Sequence, residues 1–320
     1  MSYPRILITT YHQAFLVKGG GEHEMFSIAD ALKQNGLIAD IYGPYSRSIE
    51  NYDAIIHFSV HGGGLQFLNY VRSFNKPILL WPNVWLSEND KSSFEMIEKF
   101  IALSTKLLFK SISELENFCS FFPHAKCKSF LVNLGADSSY LKESSPDLFR
   151  QIQSVERYAI WLGIIEPNKN QLNAIKAMKG SGITLILVGN SRDDQYLDEC
   201  KKVGGNDLVV IPSLPYRSEL VRSALSGAEF YIEIGFEPPG LSAIEAGLCG
   251  CKLVLSDSSW SREHFGDNAT YVHPEKIECI KKGIEKISLE SNNRDLPNQL
   301  KKYCLPESIS PLLQMLKEYA

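Results

Sequence analysis

The sequence has no CxxC cysteine pair, no internal repeat, no low-complexity stretch and no apolar run approaching a membrane-spanning length. Each absence removes a class of protein. Seven cysteines at irregular spacing make neither a disulfide framework nor a zinc knuckle, and they agree with a reducing compartment. The one close pair is Cys249 and Cys251, and Cys251 opens an apolar segment that reads as a buried strand, which suits packing better than metal binding. The first apolar run, Arg5 to Thr10, is too short for the core of a signal peptide, so a soluble, cytoplasmic protein is expected. A formal charge of −4 offers no general attraction for nucleic acid. Gly19, Gly20 and Gly21 lie too far beyond that first run to form the tight strand-to-helix turn of a dinucleotide fingerprint, so NAD is not expected.

What is present is an alternation. With 320 residues, 44% hydrophobic and 22% charged, the chain can bury two ordinary cores. Short apolar runs at Arg5–Thr10, Ala39–Gly43, Asp53–Phe58 and Lys76–Trp81 alternate with helical patterns, and the same happens at Arg157–Gly163, Thr184–Asn190 and Leu208–Leu214. That is the pattern of doubly wound parallel sheets. The polar stretch from Ser138 to Gln153 reads as an interdomain linker, placing domains at 1–150 and 151–305 with a C-terminal amphipathic segment at 306–320. His57, His61 and the glycines at 62–64 fall at a strand's C-terminal end, where such sheets place ligands, although a structural hydrogen-bonding role suits either histidine equally well. Gly20, Gly21 and Glu22 read as a glycine-rich loop that lets a ligand approach backbone amides, or as a flexible linker. Trp81 and Trp85 read as core aromatics or as a platform for an acceptor.

The most informative stretch runs from Glu237 to Glu245. Tyr231 to Ile234 reads as a strand, Pro238 and Pro239 can begin but not continue a helix, and Gly250 stops it before the next strand at Lys252–Leu255. Leu241, Ile244 and Leu248 share one helical face, which leaves the Gly240 and Leu241 amides at the positive end of a short helix, a setting that suits phosphate. Two turns of helix put the two carboxylates about 10 Å apart, too far to share a proton but matched to a long ligand.

This strand, turn and helix resemble the E-x7-E motif of retaining glycosyltransferases with the GT-B fold, those of glycosyltransferase family 4 in particular. The resemblance implies two Rossmann-like doubly wound domains facing a cleft, with Glu237 beside the transferred sugar and Glu245 on the ribose. It implies a metal-independent, retaining, hexosyltransferase-type reaction from a nucleotide-diphosphate sugar to a glycan or lipid-linked acceptor. Surface polysaccharide or glycoconjugate assembly is the setting it suggests. Gly163 to Lys169 resembles the family's cationic loop, with Lys169 as the diphosphate cation and Ile164 where an arginine is expected. The segment ending at Asn83 resembles the one that carries a histidine near the reacting sugar, and Asn83 can hold a hydroxyl but cannot relay a proton. Ser213 and Leu214 match the loop around the nucleotide base. Arg192, Asp193 and Asp194 lack the spaced acidic metal motif of the GT-A class and read as a loop and helix start. Arg262 to Asn268 resembles a late loop, and the last helix is expected to cross back to the first domain, with peripheral membrane contact as the competing reading. Two departures, Ile164 and Asn83, keep a non-catalytic nucleotide-sugar-binding subunit open, and a sugar-nucleotide epimerase is the third reading.

Overall fold

The computed structural model describes residues 3–12, 14–15, 20–133, 135–291 and 295–319. The chain divides into two compact units, Met1–Gly135 with Tyr303–Ala320, and Ala136–Lys302.

The first unit carries six strands, β1 (Arg5–Thr9), β2 (Ile38–Ile41), β3 (Ala54–Phe58), β4 (Ile78–Trp81), β5 (Lys106–Phe109) and β6 (Ser129–Leu131). They pair in parallel in the order β2-β1-β3-β4-β5-β6. Because both faces of this sheet are covered, its central strands are mostly apolar on both sides, with Thr9 and His57 the buried polar positions, yet the two-residue period still sorts them. Ile6, Ile8, Ile56, Leu79, Trp81 and Leu108 enter one core, while Leu7, Ile55, Ile78, Leu80, Leu107 and Phe109 enter the other. Each fully buried aliphatic side chain of this kind contributes roughly 2 kcal/mol.

The second unit carries β7 (Tyr158–Leu162), β8 (Thr184–Val188), β9 (Leu208–Ile211), β10 (Phe230–Glu233), β11 (Leu253–Ser256) and β12 (Thr270–Val272). The parallel order is β12-β11-β10-β7-β8-β9. In the order of their appearance within the unit this is the 3-2-1-4-5-6 arrangement, whose topological switch lies between the first and fourth strands, here β7 and β10. The loops leaving β7 and β10 therefore start side by side.

Two sequence expectations change, at 138–153 and at 262–268. The linker placed at 138–153 contains the helix Pro146–Gln153. Ser145 caps it through the Asp147 amide at 3.3 Å, Phe149 is fully buried, and the Phe149 amide donates to Ser223 Oγ at 2.9 Å. Serine and proline there start a helix, and the division between units falls at Gly135/Ala136 instead of near 150. The late loop at 262–268 is largely helix, Ser259–Phe265, capped by Ser258 accepting from the Ser261 amide at 3.1 Å. The C-terminal segment is part of the first unit from Tyr303 onward. Leu305, Ile309, Leu312 and Leu316 pack in one core with Ile28 and Leu32 of the helix Gly20–Gln34. Among the described residues no helix is long and apolar enough to cross a membrane.

Candidate functional site

In the second unit the site grows from the switch point. After β10 the chain turns through Gly235 to Gly240 into the helix Leu241–Leu248, and Gly240 stands at the N-cap with no side-chain cap. The first amides of that helix thus keep their hydrogens free of a capping side chain, at the positive end of the dipole. The loop from β7 is stitched against this turn. The Phe236 amide donates to the Asn168 carbonyl at 3.1 Å, and Asn170 Nδ2 donates to the Ile234 carbonyl at 3.1 Å. A Cβ on Gly235 would meet the Glu237 carbonyl at 3.3 Å and Lys169 Cα at 3.6 Å, so the two loops lie too close for a larger residue there.

This stitching delivers Lys169 to Glu233. The Lys169 ammonium lies 3.6 Å from Glu233 Oε1, and the other carboxylate oxygen accepts from the Tyr231 hydroxyl at 2.6 Å and the Ser242 hydroxyl at 3.0 Å. Glu233 is almost fully buried, with its side chain 4% exposed, and it ties the lysine to the first turn of the helix. Burial, with the Glu233 charge second, holds the Tyr231 phenol well above its ordinary pKa, so it remains a donor. Glu237 is exposed on the turn, as is Gly240, while Leu241 is half-buried. Ile164 is half-buried and its carbonyl accepts from Gln171 Nε2 at 2.8 Å.

Glu245 lies one turn beyond Ser242 and is buried. Burial pushes its carboxyl up to about 8, opposed by hydrogen bonds with the Tyr140 and Tyr216 hydroxyls; Asp137 adds to the rise and Arg217 offsets it. Arg217 pairs with Asp137 at 3.0 Å and its guanidinium lies 5.1 Å from the centre of the Tyr216 ring. The loop after β9 that holds Ser213, exposed, and Leu214, half-buried, therefore continues directly into the residues around Glu245.

In the first unit the structure separates residues that the sequence grouped. Gly20, Gly21 and Glu22 are the first turn of the helix Gly20–Gln34 and not a loop, because the helical pattern of 25–32 extends back through glycines that cost it little at an end. Lys18 and Gly19 lie outside the described residues. A Cβ on Gly21 would stand 3.4 Å from Asn83 Nδ2, so that turn and Asn83 meet. Asn83 is exposed and holds a left-handed φ of 50°. Its Oδ1 accepts from Lys110 Nζ at 2.6 Å, and the same ammonium reaches Glu24 Oε2 at 3.2 Å.

His57 is not on the surface. It is fully buried, its Nδ1 lies 2.8 Å from Thr9 Oγ1, and its ring stacks on Phe100 at 5.8 Å. Burial lowers its pKa to about 3. A Cβ on Gly64 would fall 2.4 Å from its Nε2, so that glycine marks a close approach to the ring and not a ligand loop. His61 is exposed, edge-on to Tyr11 at 4.9 Å. Trp81 is core, stacked on Phe58 at 5.0 Å, and Trp85 is half-buried. Asp193 caps the helix Asp194–Gly204 through the Tyr196 amide at 2.9 Å, and Arg192 pairs with Glu166 at 3.4 Å.

Residues 147–304 match the family model described as glycosyl transferases group 1. The whole chain superposes on the sucrose-phosphate synthase of Thermosynechococcus elongatus with a TM-score of 0.79 at 16% identity, over 98% of each chain. It superposes on HepE of Anabaena, in complex with UDP and glucose, with a TM-score of 0.75 at 15% identity over 99% of each. A glycosyltransferase from Rickettsia africae follows at 0.73 and 14%, over 100% of this chain and 99% of that one. No curated protein sequence matches the chain. Two parallel-sheet units and the superposition on these structures give the chain the GT-B fold, and its residues 147–304 match the glycosyl transferases group 1 family.

Proposed function

We propose that this protein is a metal-independent, retaining glycosyltransferase that moves a sugar, of hexosyl type, from a nucleoside-diphosphate donor to a hydroxyl of a glycan or lipid-linked acceptor. The observation that carries the reading is the Lys169–Glu233–Ser242 linkage, which brings a cation and an uncapped helix N-terminus to the switch point of the second sheet. As the glycosyl bond breaks, negative charge develops on the departing diphosphate, and fixed donors aimed at that charge lower the barrier. Lys169 and the first amides of the Leu241–Leu248 helix supply them; Glu237 orients the sugar, and the Glu245 end of the helix takes the ribose beside the base loop at Ser213 and Leu214. UDP in the HepE complex makes a uridine donor the first to try. Surface polysaccharide or glycoconjugate assembly, on the cytoplasmic side of a membrane, is the setting we propose.

The test is release of nucleoside diphosphate from a panel of nucleotide sugars, in EDTA, with and without lipid-linked or glycan acceptors. Turnover with one donor that rises with an acceptor, together with an α-configured product from an α-donor, is the expected result. Glu245→Ala should abolish nucleotide-sugar binding by calorimetry with the fold intact, and undiminished affinity would count against the assignment of this helix. One feature favours a second reading. Lys169 is partly neutralised by Glu233 and Ile164 contributes no cation, so a non-catalytic donor-binding subunit is supported if binding saturates without turnover on any acceptor.

A further inference from the structure

Among the described residues β12 is the outer strand of the second sheet and pairs only with β11. The Asp257 amide, just after β11, donates to the Val272 carbonyl at 3.0 Å. Successive residues of a strand turn their backbone groups to opposite sides, so the N–H and C=O of Tyr271 face the free edge. The helix Ile277–Leu289 packs on this strand. A Cβ on Gly283 would fall 2.4 Å from Val272 Cγ1, so the glycine is what lets the helix come so close. Ile280, Ile284 and Ile287 then enter the core. Lys282 and Lys286, one turn apart on the neighbouring stripe, are exposed.

Both lysines line an open cavity of about 490 Å³, within the size range of small-molecule sites, and Arg262, Asp267 and Tyr271 line it with them. Arg262 is fixed in place. Its Nε and Nη2 donate to the two Asp257 oxygens at 2.7 and 2.9 Å, its guanidinium lies 4.4 Å from the centre of the Tyr271 ring, and the Tyr271 hydroxyl donates to the Gly266 carbonyl at 2.6 Å. That fork uses two of the five guanidinium N–H bonds and leaves the Nη1 pair outside it. Lys286 reaches Glu290 at 3.6 Å, but both ends of this pair are exposed, and such a pair yields easily to a stronger anion. Asp267 precedes β12, so the cavity lies toward the amino end of the sheet, two strands from β10. The Lys169 and Gly240 turns stand at the opposite, carboxyl ends of β7 and β10.

We propose that this cavity is a second anion site, which takes a phosphoryl group, free or on a small ester, through Arg262, Lys282, Lys286 and the outward N–H of Tyr271. Three cations against one acid leave an excess that matches a dianion, and a fixed guanidinium with a backbone N–H gives directional donors to several oxygens at once, which chloride cannot use. The proposal does not rest on the glycosyltransferase reading.

The experiment is a 15N titration of the full chain with inorganic phosphate and, in a second arm, glycerol 3-phosphate, each against sodium chloride at equal ionic strength. Saturable shifts of the Tyr271 and Gly283 amides with phosphate and not with chloride are expected. Tighter binding of glycerol 3-phosphate identifies an ester as the ligand, and equal binding identifies free phosphate. Lys282→Ser and Lys286→Ser should each weaken binding about threefold and together roughly tenfold, whereas Asp267→Asn should strengthen it about threefold. A variant that misfolds cannot produce that gain. Lys169→Met, at the other site, should leave the Tyr271 and Gly283 shifts as they are. Shifts that chloride reproduces, that survive in the double lysine variant, or that vanish in Lys169→Met overturn the proposal.

Discussion

Both units place a lysine beside a buried glutamate at the carboxyl ends of their strands, and the two pairs are built in opposite ways. In the second unit the acid comes from strand β10 and the lysine from a loop, and Glu233 also accepts from two hydroxyls. In the first unit the lysine follows strand β5, the acid comes from a helix, and one of its oxygens has no hydrogen-bond partner among the described residues. Glu233 keeps two hydroxyl donors on Oε2 if the lysine leaves. Glu24 keeps no such donor among the described residues. Lys169 is therefore replaceable as far as folding is concerned, which frees it to serve a ligand, whereas Lys110 is needed by its own unit. The difference shows that an ion pair's value depends on what remains after one partner is removed.

The predictions probe that contrast. Lys169→Met should lower turnover about 100-fold, the usual loss for one preorganised donor at a developing charge, with urea unfolding of the second unit changed by less than about 1 kcal/mol. A large loss of stability would mean that Lys169 is structural and the contrast is false. Next come the two buried titrating groups, one in each unit, which pull in opposite directions. Glu245 is raised from an ordinary 4.5 to about 8 by burial. Its contribution is complete below about pH 4.5 and is lost as pH climbs toward 8, because the unfolded chain ionises there while the folded one stays protonated. His57 is lowered from 6.5 to about 3, also by burial, so its contribution is complete above pH 6.5 and lost as pH falls toward 3. Between pH 4.5 and 6.5 the two oppose each other, so unfolding free energies measured from pH 3 to 9 should slope by up to about 1.4 kcal/mol per pH unit only below about 4.5, where His57 acts alone, and above about 6.5, where Glu245 does. Glu245→Gln should flatten the limb above 6.5 and His57→Gln the limb below 4.5; a variant that flattens the other limb would break the assignment.

Third, Lys110→Met should destabilise the first unit by roughly 2 kcal/mol, less than for a fully buried pair because the lysine is 16% exposed. Adding Glu24→Gln should recover most of that loss, and a double variant as unstable as the single would show that Glu24 is not the reason. The smallest effect is expected at Gly64. An alanine there would bring a methyl within 2.4 Å of His57 Nε2, and the ring or the turn must move at a cost of about 1–2 kcal/mol. Thermal unfolding reads it directly.

Much of this molecule was legible without coordinates. The strand segments are visible because parallel sheets buried on both faces demand uninterrupted apolar runs, and the Pro-Pro-Gly turn before Leu241 sets a helix start by backbone chemistry alone. Local ambiguity caused the misses. Ser144, Ser145 and Pro146 suit a linker and an N-capped helix equally, and only the burial of Phe149 against its neighbours decides for the helix. The glycines at 20 and 21 look like a loop until the helix behind them is seen to extend through them. Glu24, Lys110, Glu233, Tyr140, Tyr216 and Arg217 passed unnoticed as site residues. The one available signal was Glu233 itself, a charge at the end of an apolar strand, which seldom stands without a buried partner.

The sequence by itself determined the alternating parallel architecture and the start of the Leu241–Leu248 helix, because both follow from residue spacing and from what proline, glycine and apolar runs permit over a few residues. Only the tertiary structure decided the pairings. Lys110 and Glu24 are 86 residues apart, Lys169 comes from the loop after β7 and Glu233 from the end of β10, and Glu245 is enclosed by tyrosines from two other segments. Which charge is satisfied, which amide oxygen is taken and which carboxyl keeps its proton depend on distances across the sheet ends, and those exist only once the strands have been laid in order.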